Sequence, residues 1–518
     1  MNQSTIVGEM IKGFGTEFSE EELWGIVPSE EYVRELESII PATGRYLKSV
    51  AFLKDVTSGK AVAKKRFYVI GEYLISLSEL MAGYHGPYRK IIGELSPEDK
   101  AAIRKIGTTI TEIMQAEYIE KFTDHDTAAA VDLFKLRMAK ELPHLADQVE
   151  AAHFGCTSDD VMGNVFGLIA NELVYEHFSS ALYDFIAEII NYSRYHETDG
   201  PLIIPGFTHG QAAEPMTLGV KFLTRIVAIM YLCGRMRGEG WRKLPFSGKM
   251  GGAIGNLTCH YAAYPDIDWW TFAAGFVGKL GLHYESMTDQ CATFVVEAMH
   301  FSTIAHILTQ IIKLTNDFID MTNCPAQFFV KAKKKGRKGS SLMPNKSNPW
   351  GMEGAVGMLE EARSKLLFLS VTLPDYPHEG NMKRSYLLRN IGDAFMPIFI
   401  ALKRITKEMK SYSPNPGKIN AFFEEYPGMA GSSLQTVLKR ENVAGDAYRA
   451  IQDISINADG TYANAEQFAE GLKMKMDQLE LDEHFRKELL SLLNPGHLVR
   501  PVHERAWQSR EAVEKIIG

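Results

Sequence analysis

The segment GSSLMPNKSNP, residues 339–349, carries side chains whose types and spacing could do chemistry together. Two hydroxyls, at Ser340 and Ser341, precede Lys346 and Asn348 by a few residues. A serine is a poor base unless its alkoxide is stabilised, which a nearby ammonium group, backbone N–H donors and exclusion of water can do. Lys346 and Asn348 also suit a carboxylate, the first as a point charge and the second as a directed amide donor. Taken alone, the segment fits either an active-site loop or a glycine- and proline-rich linker that caps the next helix.

A histidine stands out in FTHGQAAEP, residues 207–215. His209 lies between a threonine and a glycine and follows PLIIPG, so we expect a tight turn before a helix. An imidazole changes its protonation near neutral pH, which suits a general acid or base. The alternative is a histidine that bonds only to nearby backbone.

The segment GCTSDD, residues 155–160, predicts the start of a helix. Thr157 or Ser158 would be the N-cap, and the two aspartates would lie in the first turn. The free N–H groups of a helix N-terminus also attract anions. Capping and ligand binding can therefore share this segment.

Other polar segments interrupt the helical pattern, and loops of this kind often carry binding residues. They are GRY (44–46), TDHD (123–126) and RSYLLRN (384–390). The basic run from Lys331 to Lys338 is short and isolated in an acidic chain. This context favours a solvated, mobile loop over a phosphate-binding patch.

Helical periodicity predicts the scaffold that must position these segments. Apolar residues recur every three or four positions from Val161 to Ile189, and again from Ile304 to Phe318. The first run lacks proline and is much longer than the roughly 11-residue average helix. Long helices with an apolar stripe are typical of a bundle.

Breaks in this pattern predict three domains within an all-α protein. The proline-containing stretch KELPHLADQVEAAHFGCTSDD ends the N-terminal third, and SYSPNPGKIN, residues 411–420, interrupts the pattern again. We expect a helical N-terminal domain at 1–147, a central long-helix bundle with the 339–349 loop at 148–408, and a helical C-terminal domain at 409–518.

Composition excludes several classes of protein. The 518-residue chain has 45% hydrophobic and 23% charged residues, which is typical of soluble globular proteins. Its formal net charge of −8 argues against general nucleic-acid binding. The five cysteines show neither a CxxC pair nor metal-type spacing. Without a secretory signal or a run of about 18 apolar residues, the chain is expected to be cytoplasmic, with no nucleic-acid or membrane partner.

Together these motifs resemble the aspartase/fumarase superfamily, whose signature is close to GSSxMPxKxNP. Within it they are similar to the adenylosuccinate lyases, particularly the bacterial type, as are GGAIGNLTCHYAAYPDIDW (251–269) and SYLLRNIG (385–392). The resemblance extends from about residue 41 to residue 410, with the motifs in the family's order. It implies a three-domain fold around a long-helix bundle and a homotetramer whose active sites combine segments from several chains. It implies no metal and no organic cofactor.

The resemblance also implies roles for individual residues. His209 matches the general acid that protonates the leaving nitrogen, and Ser340 matches the general base on a mobile loop. The residues that match substrate-binding positions are Lys346, Asn348 and Met343 near the succinyl carboxylates, the hydroxyls of Thr157, Ser158 and Thr208, Gln290 in the nucleotide site, Arg45, Tyr46, Ser385 and Arg389 in the phosphate pocket, and the pair His125 and Asp126.

The implied reaction is β-elimination of fumarate in purine biosynthesis. The substrates would be adenylosuccinate, which gives AMP, and succinylaminoimidazole carboxamide ribotide, which gives the carboxamide ribotide. Removing a proton beside a carboxylate places charge on that carboxylate, and Lys346 and Asn348 could stabilise it. Expulsion of the amine requires protonation, for which His209 is suited. Closure of the loop over substrate would exclude water and strengthen these interactions.

The match departs from the family's usual residues at Phe207 (arginine), Asn345 (histidine), Asp124 (asparagine) and Gly380 (arginine). The change at Gly380 matters because a guanidinium group can bind phosphate through two hydrogen bonds. Lys383 or Arg384 could substitute for it. Two further hypotheses therefore stay open: a fumarate-releasing lyase with a different amine leaving group, and a non-catalytic paralogue that serves binding or assembly.

Overall fold

The computed structural model describes residues 41–236, 244–332, 336 and 338–517. The N-terminal segment before Pro41 and part of the predicted basic loop, at 333–335 and 337, lie outside these ranges.

The N-terminal part is helical. Its helices are α1 (Pro41–Tyr46), α2 (Leu53–Val56), α3 (Gly59–Ala82), α4 (Pro97–Ile103), α5 (Ile110–Thr123) and α6 (Asp126–Glu141). Short 3₁₀ segments follow at Leu47–Val50 and Pro143–His153. Helix α3 is the central member, because its buried face includes Phe67, Ile70 and Leu74 and packs against α6 and α7.

The central part consists mainly of long helices. They are α7 (Ser158–Asn171), α8 (Ser179–His196), α9 (Leu218–Met236), α10 (Thr258–Ala263), α11 (Trp269–Lys279), α12 (Val295–Thr322), α13 (Trp350–Thr372), α14 (Lys383–Arg389) and α15 (Ile391–Met409). Its strands are β1 (Ile203–Thr208), β2 (Gln211–Thr217), β3 (Ser247–Gly248), β4 (His283–Tyr284) and β5 (Phe329–Lys331).

The C-terminal part begins with β6 (Tyr412–Pro414). It continues with the helices α16 (Pro416–Glu425), α17 (Gly431–Glu441), α18 (Ala447–Ser455), α19 (Ala465–Gln478), α20 (Glu483–Ser491) and α21 (Pro495–Ile517), and with a 3₁₀ turn at Pro427–Ala430. The strands form two-stranded sheets: β1 with β2 and β5 with β6 are antiparallel, and β3 with β4 is parallel. The predicted all-α class is confirmed, with these sheets as small additions.

The predicted helical stripes are confirmed. Helices α7 and α8 are joined by a π-helical segment, Glu172–Phe178, so one continuous helical run carries the apolar residues from Val161 to Ile189. Helix α12 packs against α9 and α13, and α13 packs against α15. These contacts form the long-helix bundle.

Among the described residues, α12 alone is long and apolar enough to span a membrane by length and composition. Its apolar window is 61% buried inside the protein. Ile304, Leu308 and Ile311 on this helix are fully buried. We therefore assign α12 as a core helix of the bundle.

The described chain contains two hydrophobic cores. The larger core extends from Val50 to Ile419 and also includes Ala506 and Val513 of α21, whereas the smaller lies within residues 430–492. Arg510 fixes α21 to the bundle, because its buried guanidinium donates to Glu197 Oε2 at 2.8 Å. The three domain boundaries proposed above remain predictions.

One local expectation was wrong. Lys331, expected in a solvated loop, belongs to β5, and only 5% of its side chain is exposed. Its ammonium group pairs with Glu408 and lies 5.2 Å from the ring centre of Tyr412. The charge is tolerated there because it is paired, a contact that the local basic composition does not reveal.

Candidate active site

The helix start predicted at GCTSDD is confirmed. Thr157 is the N-cap of α7, and its backbone N–H donates to Asp160 Oδ2 at 2.8 Å. Gly155 has a φ of +67°, and a Cβ there would overlap the ring of His260. The hydroxyl of Ser158 has no hydrogen-bond partner in the described part of the chain, which leaves it available at the N-terminus of a helix.

A buried ion pair holds this helix start in place. Lys249 Nζ lies 2.9 Å from Asp160 Oδ1, and both side chains are only 1% exposed. Asp160 also accepts from the backbone N–H of Gly251 at 2.8 Å, and Lys249 donates to the carbonyl of Gly252 at 2.9 Å. The segment GGAIGN is thereby fixed against GCTSDD.

His125 and Asp126 begin α6. His125 is the N-cap, and its Nδ1 accepts from the backbone N–H of Ala128 at 3.4 Å. Asp126 accepts from the guanidinium groups of both Arg66 and Arg389. Burial alone would raise the pKa of Asp126, but these two cations hold it below its usual value. Asp126 is therefore a carboxylate that orients two arginines.

Arg389 and Ser385 lie on one face of α14. The Nε of Arg389 donates to Ser385 Oγ at 3.4 Å, and the arginine side chain is 42% exposed. Arg66, in contrast, is almost buried, and burial lowers its pKa. A cavity of about 230 Å³ borders Arg66, Asp126 and Arg389. We refer to Arg66, His125, Asp126, Ser385 and Arg389 as the arginine cluster.

Gln290 lies beside the segment that leads into α14. Its backbone N–H donates to the carbonyl of Glu379 at 2.9 Å, and a Cβ at Gly380 would lie 2.8 Å from Gln290 Oε1. Arg384, on the first turn of α14, pairs with Asp159 on the first turn of α7. These contacts connect the arginine cluster, Gln290 and the helix start at Thr157 and Ser158.

His209 is placed elsewhere, at the tip of the β1–β2 hairpin. It has a φ of +53° and is exposed, and Thr208 pairs with Gln211 at the closing end. The predicted turn is confirmed, but strand β2 separates it from the helix expected next. Gln211 Oε1 accepts from the hydroxyl of Tyr462 at 2.9 Å, and Phe207 lies 5.5 Å from Phe422 between ring centres.

The 339–349 segment forms an exposed loop before α13. The Oγ of Ser340 accepts from the backbone N–H of Met343 at 3.1 Å, and the N–H of Lys346 donates to the carbonyl of Met343 at 3.2 Å. Lys346 is exposed and Asn348 is half-buried. Within the described ranges, neither side chain has a hydrogen bond or an ion pair, so both are free to bind a ligand.

Arg45 and Tyr46 form a further group at the end of α1. Arg45 lies 5.9 Å from the ring centre of Tyr46, whose hydroxyl accepts from Arg404 at 3.2 Å. No described hydrogen bond or ion pair joins this group, the hairpin tip or the loop to the arginine cluster. A cavity of about 650 Å³ nonetheless borders both Leu47, the residue after Tyr46, and Arg389.

Sequence reasoning missed two titratable residues of this region, Arg66 and His153. Arg66 binds a carboxylate 60 positions away in the sequence, so no local motif marks it. His153 is largely buried two residues before Gly155, and its Nδ1 has no hydrogen bond partner. Burial lowers the pKa of His153, which favours the neutral imidazole. Its position just before GCTSDD was the one feature of the sequence that could have marked His153 as a candidate.

Comparison with known proteins agrees with this architecture. The sequence model of a protein family that is described as "Lyase" matches residues 39–363 of this chain. Adenylosuccinate lyase from Dictyostelium discoideum is 27% identical over 471 residues, covering 90% of this chain and 96% of that protein. Adenylosuccinate lyase from Escherichia coli K12 is 26% identical over 482 residues, covering 90% and 97%.

Solved structures show the same fold. The 3-carboxy-cis,cis-muconate lactonizing enzyme of Pseudomonas putida aligns with a TM-score of 0.66 at 16% identity, covering 91% of this chain and all of that one. The β-carboxy-cis,cis-muconate cycloisomerase of Acinetobacter calcoaceticus aligns with a TM-score of 0.60 at 13% identity, covering 90% and 97%. The family model matches well over half of this chain. The chain therefore belongs to the lyase family, as a carbon–nitrogen lyase with the aspartase/fumarase fold.

Proposed function

We propose that this protein is an adenylosuccinate lyase, which eliminates fumarate from adenylosuccinate and from succinylaminoimidazole carboxamide ribotide. The observation that carries the proposal is the arginine cluster. Asp126 and Arg389 are separated by 263 positions in the sequence, yet they form one ion pair, with Ser385 beside it. Two guanidinium groups directed by one carboxylate suit a phosphate group, because guanidinium binds phosphate by charge-assisted hydrogen bonds.

The succinyl half of the substrate would be bound by the helix start and the 339–349 loop. The unpartnered hydroxyl of Ser158, at the N-terminus of α7, and the free side chains of Lys346 and Asn348 suit carboxylate oxygens. Met343 would lie near these groups.

Ser340 would remove the proton on the carbon beside one carboxylate. The electron pair then forms a carbon–carbon double bond as the carbon–nitrogen bond breaks, and Lys346 and Asn348 stabilise the charge that develops on the carboxylate. His209 donates a proton to the departing nitrogen, so that the nucleotide leaves as a neutral amine and fumarate remains.

We expect this chemistry to require more than one chain. No described hydrogen bond or ion pair joins the hairpin tip with His209, the loop with Ser340 and the arginine cluster, which supports active sites shared within a homotetramer. Apolar residues on the bundle helices support the same assembly. Tyr231 on α9, Val295 on α12 and Val371 on α13 are 65%, 61% and 73% exposed, and packing between chains would cover them.

A second candidate is a fumarate-releasing lyase with a different amine leaving group. It is favoured by the two positions where arginine is replaced. Phe207 stacks on Phe328, with 6.3 Å between ring centres and an interplanar angle of 20°, and a Cβ at Gly380 would lie 2.8 Å from the side chains of Gln290 and Cys291. Neither position can supply a cation to a phosphate group. We place either enzyme in the cytoplasm.

Purified protein incubated with each of the two purine substrates tests the proposal. Chromatography should show equal amounts of fumarate and the matching nucleotide product. Fumarate released only from another N-succinyl amine would favour the second candidate, and no fumarate from any of them would exclude both.

A further inference from the structure

Position 380 leaves no room for a side chain unless its neighbours shift. A Cβ at Gly380 would lie 2.8 Å from both Gln290 Oε1 and Cys291 Sγ. The backbone here is fixed by the hydrogen bond from the N–H of Gln290 to the carbonyl of Glu379. Since real Cβ atoms essentially never approach so closely, an arginine could not occupy this position without a shift of the buried Cys291. If the proposed enzyme needs the cation that its family usually carries at this position, another residue of this chain has to supply it.

Arg384 is a cation in the same segment with a defined position. It is 6% exposed, and its guanidinium donates to the carbonyl of Asn381 and to Asp159 Oδ2. Asp159 lies in the first turn of α7, between Ser158 and Asp160. Arg384 itself directly precedes Ser385, and Arg389 follows one turn later. One ion pair therefore joins the helix start that carries Ser158 to the helix that carries Ser385 and Arg389.

Lys383, the other candidate, does not make this connection. Its ammonium group donates to the carbonyl of Asp375, within the same loop, and its side chain is 37% exposed. An exposed lysine held by its own loop can be removed at small cost. Arg384 is different, because a buried guanidinium loses its hydration and depends on its two partners. Burial lowers its pKa to about 10.

We propose that Arg384 is a positioning residue that makes the site specific for a phosphorylated substrate. By pairing with Asp159, it fixes α14 against the start of α7, so that Ser385 and Arg389, which would bind the phosphate, keep a fixed position relative to Ser158, which would bind the succinyl group. It thereby compensates for the missing side chain at position 380. This inference rests on the proposed function.

The experiment compares Arg384→Met with the matched control Lys383→Met, which removes an equal charge one position away. For each, kcat and KM are measured with adenylosuccinate, and inhibition constants are measured for AMP and adenosine. We expect Arg384→Met to raise KM and the AMP inhibition constant by about tenfold or more, the scale of one charge-assisted contact. The inhibition constant for adenosine and the kcat should change little. Arg384→Lys should recover part of the loss, and Lys383→Met should resemble the wild type.

If Arg384→Met weakened the binding of AMP and of adenosine equally, the proposal would be overturned. A selective loss of AMP affinity in Lys383→Met would also overturn it. If Arg384→Met does not fold, Arg384→Lys and Asp159→Asn provide the test, because the first keeps the positive charge and the second keeps the shape of the side chain, while each weakens the pair. An unchanged AMP-to-adenosine ratio in both would contradict the inference. Failure of the proposed function is distinguishable, since the wild type would then release no fumarate from adenylosuccinate.

Discussion

Gly339 lies directly against the backbone carbonyl of Lys346. A Cβ at Gly339 would overlap that oxygen and would also lie 2.8 Å from the Cα of Ser347. The loop therefore folds back on itself, with Ser340 at one end of the fold and Lys346 at the other. A close approach of this kind requires glycine, because no other residue lacks a Cβ.

Gly339→Ala should therefore disturb the spacing between Ser340 and Lys346 without unfolding the protein. Both residues are at the surface, so the thermal midpoint should change little, whereas kcat should fall by about tenfold or more, since small misplacements of catalytic groups are costly. Steady-state kinetics and thermal unfolding measure the two effects. Full activity in Gly339→Ala would show that the fold of this loop is unimportant for turnover.

Ser340→Ala should abolish most turnover, because a positioned general base contributes about 10²–10⁴-fold to the rate. Ser341 provides the control. It is adjacent and exposed, and Ser341→Ala should retain more activity than Ser340→Ala by at least about tenfold on the same principle. The reverse order of activities would transfer the role of base to Ser341.

Mixing two inactive variants tests whether active sites are shared. His209→Gln and Ser340→Ala each damage a different segment, and no described hydrogen bond or ion pair joins these segments within one chain. If each site takes the two residues from different chains, mixed oligomers formed from both variants will contain some intact sites. Partial activity should appear after joint refolding or subunit exchange. A mixture as inactive as its parts, with exchange shown by native mass spectrometry, would contradict shared sites.

Glu297 gives a prediction about pH and stability. Burial raises its pKa to about 7, while Glu285 nearby adds to the rise and the N–H of Ser247 donates to its Oε1 at 2.9 Å. Since the folded value exceeds the ordinary value of 4.5, this carboxyl stabilises the fold fully below pH 4.5. The contribution is lost as the pH rises through about 7.

Glu297→Gln cannot ionise and should avoid that loss. The difference in unfolding free energy between Glu297→Gln and the wild type should therefore grow in favour of the variant between pH 4.5 and 7, by up to about 3 kcal/mol. Chemical denaturation at a series of pH values measures it. Taking the difference cancels the buried histidines, His260 and His300, which titrate in both proteins. A difference that does not vary with pH would show that Glu297 is not the titrating group.

Much of the fold could be predicted from the sequence because its signals are local. The apolar stripe of α12 and the capping residues at Thr157 depend on neighbours within a few positions. The π-helical segment after Asn171 could not be predicted, since the apolar stripe continues through it. The hairpin around His209 was missed because its strands alternate only weakly in burial.

The candidate site was only partly predictable for a related reason. His125, Asp126, Ser385 and Arg389 belong to short motifs, and the structure brings them together. Arg66 lies on a helix whose sequence signals only packing, and its partner Asp126 is 60 positions away. Contacts of this kind become visible once the chain is folded.

The most direct test of the account is to measure the release of fumarate from adenylosuccinate by proton NMR, with the purified wild type and Ser340→Ala in parallel. We expect the wild type to produce fumarate and AMP in equal amounts, and Ser340→Ala to produce almost none. Fumarate formation at the same rate by both proteins, or its absence with the wild type, would contradict the assignment.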